Sequence, residues 1–87
     1  MSKEDKMIAR IKSTPNDYTF SEAVNLARRF GYQLQQKGAT SGSRVMLYRE
    51  TDNRKILLHK PHPKDTMPQY AVKQLLETLI ENGDIDE

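Results

Sequence analysis

The chain contains no cysteine and no tryptophan, and its 87 residues include only two phenylalanines, four tyrosines, four glycines and four prolines. Without cysteine there is no disulfide, no thiolate nucleophile and no cysteine-ligated zinc, a usage that fits a reducing compartment. No apolar run approaches the roughly 18 residues a membrane span needs. The opening Met1-Ser2-Lys3-Glu4-Asp5-Lys6 lacks the apolar stretch of a signal peptide, so a cytoplasmic protein without a membrane partner is expected. A phosphate-cradling glycine loop and a carboxylate cluster spaced for a hard cation are also missing. That argues against nucleotide hydrolysis and metal chemistry, and no metal or cofactor is expected. His59 and His62 are left as the side chains that ordinarily titrate near neutral pH.

What is present is polar and unevenly charged. Hydrophobic residues make up 36% and charged residues 30%, with a mean hydropathy of −0.83, enough apolar material for one small core and too little for two. The net charge of +2 conceals its distribution: residues 1–27 balance at four cations and four anions, residues 28–64 hold nine and two, and residues 65–87 hold one and six. A central block that basic is the electrostatic footprint of a polyanion, while the acidic end would repel the same ligand or mask the basic surface.

Along the chain, Met7, Ile8 and Ile11 fall at helical spacing in a short accessory segment that Thr14-Pro15 interrupts. Thr19 and Glu22 form a capping box for a second helix, whose apolar face is Phe20, Ala23, Val24, Ala27 and Phe30 and whose stop is Gly31. Tyr32 and Leu34 alternate with Gln33 and Gln35 as a half-buried strand ending at Lys37-Gly38, and Gly38 to Ser43 reads as a loop. Arg44 to Arg49 is a strand apolar on both faces, Thr51-Asp52-Asn53 a turn, and Lys55 to His59 a third strand. The prolines at 61 and 63 end that strand, because they lack the N–H a ladder requires. Thr66 and Gln69 predict a capping box for a last helix with Pro68 in its first turn, a buried stripe of Ala71, Val72, Leu75, Leu76, Leu79 and Ile80, and a stop at Gly83. The expected fold is α+β: an α-β-β-β-α domain, a three-stranded antiparallel sheet with two helices on one face, an extra N-terminal helix in front, and the other sheet face open. Residues 1–18 form an N-terminal extension, 19–83 the domain and 84–87 an acidic tail.

Gly42-Ser43 opening a strand, a charged turn, a strand running into Pro61-His62-Pro63-Lys64, and the helix Val72-Lys73-Gln74-Leu75-Leu76 ending near Gly83 together resemble the HicA toxin family over roughly residues 19–83. The resemblance implies a double-stranded-RNA-binding-domain-like fold, mRNA cleavage as the activity, and restraint by a HicB-type antitoxin. The family pattern continues Gly-Ser with a histidine held to be catalytic, whereas this chain has Arg44. An arginine stays protonated above pH 12, so it can bind phosphate or stabilise a charged transition state but cannot act as a general base.

Metal-free RNA cleavage needs a base for the 2′-hydroxyl, an acid for the leaving 5′-oxygen and a cation near phosphorus. His62, His59 and Arg44 could meet those needs if the loop after the third strand folds beside the start of the second. Lys37, Ser43, Arg44, Arg49, Arg54, Lys60 and Lys64 are the expected RNA contacts at the open face and its rim, giving Coulombic attraction with little base specificity. Tyr48 is a possible stacking platform. Two other functions fit the same residues: an RNA-binding module without catalysis, and an interaction subunit whose basic face docks an acidic protein.

Overall fold

Two reciprocal caps start the first two helices. In the computed structural model, which describes residues 2–35, 44–61 and 64–86, Ser2 Oγ accepts from Asp5 N at 3.1 Å while Asp5 returns a bond to Ser2 N, opening α1 (Lys3–Lys12). Thr19 and Glu22 make the same exchange at the start of α2 (Phe20–Arg29), as their spacing predicts. Gly31, at φ +97°, ends α2 in a conformation that a side chain would oppose, and Gly83 at φ +81° follows α3 (Gln69–Glu81) in the same way.

Strands β1 (Gln33–Gln35), β2 (Arg44–Arg49) and β3 (Arg54–His59) form an antiparallel sheet in the order β1-β2-β3. Leu34 pairs with Leu47 and Leu47 with Ile56, so one row of apolar side chains crosses the sheet on the face that meets the helices. Val45 and Leu58 form the next row, and Leu47, Ile56 and Leu58 are buried there with Val72, Leu75 and Leu79 of α3 and Phe20, Ala23, Val24 and Ala27 of α2. The α+β architecture expected from the sequence is present, with α1 added in front to give α-α-β-β-β-α.

Three local expectations are corrected. Residues 66 and 69 do not cap α3: its N-cap is Pro68, with no side-chain cap bond. Thr66 instead forms an isolated bridge with Thr19, flanked by Phe20 N donating to Asp65 O and Met67 N to Tyr18 O, both at 2.8 Å. That bridge holds Thr66 extended, and the freed Gln69 amide donates to Thr14 O at 2.7 Å, beside a Thr14 backbone in the left-handed region at φ 42°. The N-terminal segment is not an accessory either. Ile11 and Tyr18 are buried in the common core, and Arg10 pairs with Glu22 and with Asp17 across the α1–α2 junction. At the other end, Ile85 of the acidic tail is 3% exposed within that same core.

Candidate nucleic-acid interface

Strand alternation decides which side chains share the uncovered face of the sheet. Because side chains repeat every two residues and cross-strand partners point the same way, Gln33, Tyr48 and Lys55 form one row and Gln35, Met46 and Leu57 the next. Arg44 and His59 form the last row. Directly opposed residues in an antiparallel pair hold their Cβ atoms about 4.5–5.5 Å apart. The register therefore brings together two of the residues singled out for chemistry, 15 positions apart in sequence. Arg44, Lys55 and His59 are exposed, and no carboxylate lies in these rows.

The face is held in shape from both ends. At the turn end, Tyr48 Oη donates to Asn53 Oδ1 at 2.5 Å, and Asn53 itself takes φ 56°, closing the β2–β3 connection. At the other end, the chain leaving His59 returns to the N-terminus of α2, where Asp65 Oδ2 accepts from Ser21 N at 3.2 Å and from Ser21 Oγ at 2.7 Å. A carboxylate at that helix terminus satisfies orphan amides and opposes the dipole's positive end. The exposed cations Lys60 and Lys64 lie, respectively, next to His59 at the end of β3 and next to the anchored Asp65 in sequence.

Arg49 and Arg54 do not join this face. They oppose each other at the turn end in the rows that point toward the helices. The Arg49 guanidinium lies 4.5 Å from the centre of the Tyr32 ring, donates to Phe30 O at 2.9 Å and Asp84 Oδ1 at 2.6 Å, and pairs with Asp52 at 2.8 Å. Hydrogen bonds to Asp52 and then Asp84 raise its pKa further above the usual range, and the same contact holds the Asp52 carboxyl down to about 2. Burial first, and then the bond to Asp84, raise the Tyr32 hydroxyl. Arg54 donates to Asn82 Oδ1 at 2.8 Å and pairs with Asp52 at 3.3 Å. These two arginines join the sheet to the end of α3, which corrects their expected place beside the open face.

Lys37, Ser43 and His62 lie outside the described residues. Lys55, by contrast, stands on the open face and was missed by sequence reasoning, although its alternation with Leu57 and His59 places all three on one side of β3. Among the described residues there is no group of three His, Cys, Asp or Glu side chains able to hold a metal ion. Nor is any described helix long and apolar enough to cross a membrane.

A small α+β domain with helices on one side of a three-stranded sheet and cation-bearing strand rows without a carboxylate on the other is the class these features define. The chain matches the family model for the HicA toxin of bacterial toxin–antitoxin systems over residues 20–79, and it belongs to that family. No curated protein and no solved structure matches it. Family membership gives the chain a toxin role, and a HicB-type antitoxin is the partner the family implies in general.

Proposed function

We propose that this toxin acts on RNA through the open face of its sheet and cleaves it without a metal ion at the Arg44–His59 row. The observation that carries the proposal is the register: Arg44 opposite His59, both exposed, among strand rows that hold no carboxylate. A phosphodiester over that row meets a fixed cation and a titratable imidazole side by side. The His59 imidazole takes the 2′-hydroxyl proton as that oxygen attacks phosphorus. Arg44 donates to the equatorial oxygens as negative charge builds, and a second proton donor completes departure of the 5′-oxygen. His62 is our candidate for that donor. Lys55, Lys60 and Lys64 hold the flanking phosphates, and Tyr48 offers a ring on which a base can stack. The cytoplasm is the compartment in which mRNA would be met.

A second reading follows from Arg44 itself. Where the family pattern has histidine, this chain has a group that cannot exchange protons near neutral pH, so the same face could bind RNA without cutting it. Cleavage of a single-stranded RNA in EDTA, followed from pH 5.5 to 8, separates the two. The enzymatic reading expects cleavage that survives EDTA, falls by about 100-fold or more in His59→Ala as expected for loss of a general base, and rises in Arg44→His. RNA binding with no cleavage in any of these proteins leaves the binding module. Cleavage unchanged in His59→Ala removes the imidazole from the mechanism.

A further inference from the structure

Among the described residues the outer edge of β3 has no strand partner. The strand order places β3 at the end of the sheet, bonded to β2 on one side, and none of the backbone hydrogen bonds outside the regular elements involves Arg54–Lys60 among the described residues. An open groove of about 980 Å³ runs along this edge, with Lys55 and Leu57 on the strand side and Tyr70, Gln74, Glu77 and Glu81 on the α3 side. Leu57 at 70% and Tyr70 at 67% are the exposed large hydrophobics of the described chain, and both line this groove. Two exposed apolar side chains beside an unpaired edge are a liability unless something covers them.

We propose that this groove docks an extended polypeptide strand that adds to β3, acidic and apolar on the side facing the open sheet surface and basic on the side facing α3. This rests on the toxin–antitoxin assignment, the antitoxin being the natural source of such a strand. The charges fix the pattern. β3 and the next residue carry Arg54, Lys55, His59 and Lys60 with no carboxylate, so side chains opposite Lys55 and His59 are acidic and the one opposite Leu57 is apolar. The alternate side chains of an added strand point toward Glu77 and Glu81, both exposed, and are basic. A second copy of this chain fits badly. Antiparallel pairing about Leu57 would set Lys55 against His59 and Arg54 against Lys60, with no anion to offset them. A nucleic acid fits badly too, because its phosphates would run past Glu77 and Glu81 and cannot reproduce the alternating N–H and C=O of a strand edge.

The test uses the full chain and the acetylated, amidated peptide Thr-Arg-Glu-Lys-Val-Arg-Glu-Thr, followed by amide NMR shifts and hydrogen exchange. Expected are shifts centred on residues 54–60, slowed exchange at alternate amides of β3, and weaker binding by a peptide with the acidic and basic sides interchanged. The double variant Glu77→Lys/Glu81→Lys, at two exposed positions on the α3 wall of the groove and outside the proposed RNA contacts, should weaken peptide binding by about tenfold or more through like-charge contact. RNA binding by that variant should be undiminished. Peptide binding that leaves β3 amides unprotected, or that ignores the double substitution, overturns the proposal. So does a chain that dimerises alone with β3 protected, or RNA shifts centred on Tyr70, Glu77 and Glu81 of the α3 wall. A toxin that captures the peptide but neither binds nor cuts RNA refutes the RNA reading while leaving the docking edge standing.

Discussion

Replacing Arg49 by methionine tests whether this arginine builds the domain or contacts RNA. The substitution keeps most of the aliphatic stem and removes the guanidinium that joins β2 to the end of α3. The Arg49 side chain is 13% exposed and its partner Asp84 9%, at 2.6 Å, so the variant leaves Asp84 with the Tyr32 hydroxyl, 2.8 Å away, as its remaining described side-chain donor. Removing one partner of a buried pair costs about 3–5 kcal/mol, and the retained Tyr32 bond lowers that. The Phe30 carbonyl loses a donor and the Tyr32 ring its cation, about 1 kcal/mol each. The exposed Asp52 contact adds about 0–1 kcal/mol. Since these contributions are not additive, a loss of about 3 kcal/mol is expected, a large fraction of the 5–15 kcal/mol that typically separates folded from unfolded domains. Urea unfolding at pH 7 measures it. With a slope on the order of 1 kcal/mol/M for a chain this small, the midpoint should fall by about 3 M. Under conditions where the variant stays folded, the salt dependence of RNA binding should match that of the parent. A loss below about 1 kcal/mol, or a salt slope shallower by about one unit as for a lost phosphate contact, would refute the structural role.

The Arg10 bond lowers the Glu22 carboxyl below its ordinary 4.5, so its contribution is full above that ordinary value and disappears as pH falls through the lowered one. Glu22→Gln should therefore be less stable by about 1 kcal/mol at pH 7 and converge with the parent in acid, read by thermal melting across pH 2.5 to 7. At Gly31, a Cβ would adopt φ +97° and meet Arg49 Cδ at 3.3 Å. Gly31→Ala should cost about 2 kcal/mol, and less in an Arg49→Met background, because that side chain is then free to move.

The elements that local chemistry specifies were legible in the sequence. Thr19 and Glu22 cap α2 by their spacing alone, the glycines at 31 and 83 stop their helices, and Leu34 lies in β1 between two exposed glutamines, with buried Tyr32 just before the strand. What escaped was set by contacts distant in sequence. Leu26 looks off the apolar face of α2 when that helix is read alone, yet it is fully buried. Thr66 has the sequence of a cap and is drawn into a bridge with Thr19, 47 residues earlier. Arg49 and Arg54 were counted with the basic block because composition carries no direction. Only the β2–β3 register shows that they point toward Asp84 and Asn82, while Lys55 points to the open face. The Arg44–His59 row is in principle readable from that same register, once the turn at 50–53 is placed.

The most direct test of the central claim is to map a short single-stranded RNA onto the chain by amide shift perturbation at low salt, with EDTA present. The account predicts that the largest changes fall at Arg44, Tyr48, Lys55 and His59, fade as salt rises, and are lost from the sheet in Arg44→Ala. Perturbations centred on α1 or on the helix-covered side around Arg49 and Asp84, with Arg44 and His59 unmoved, would contradict it.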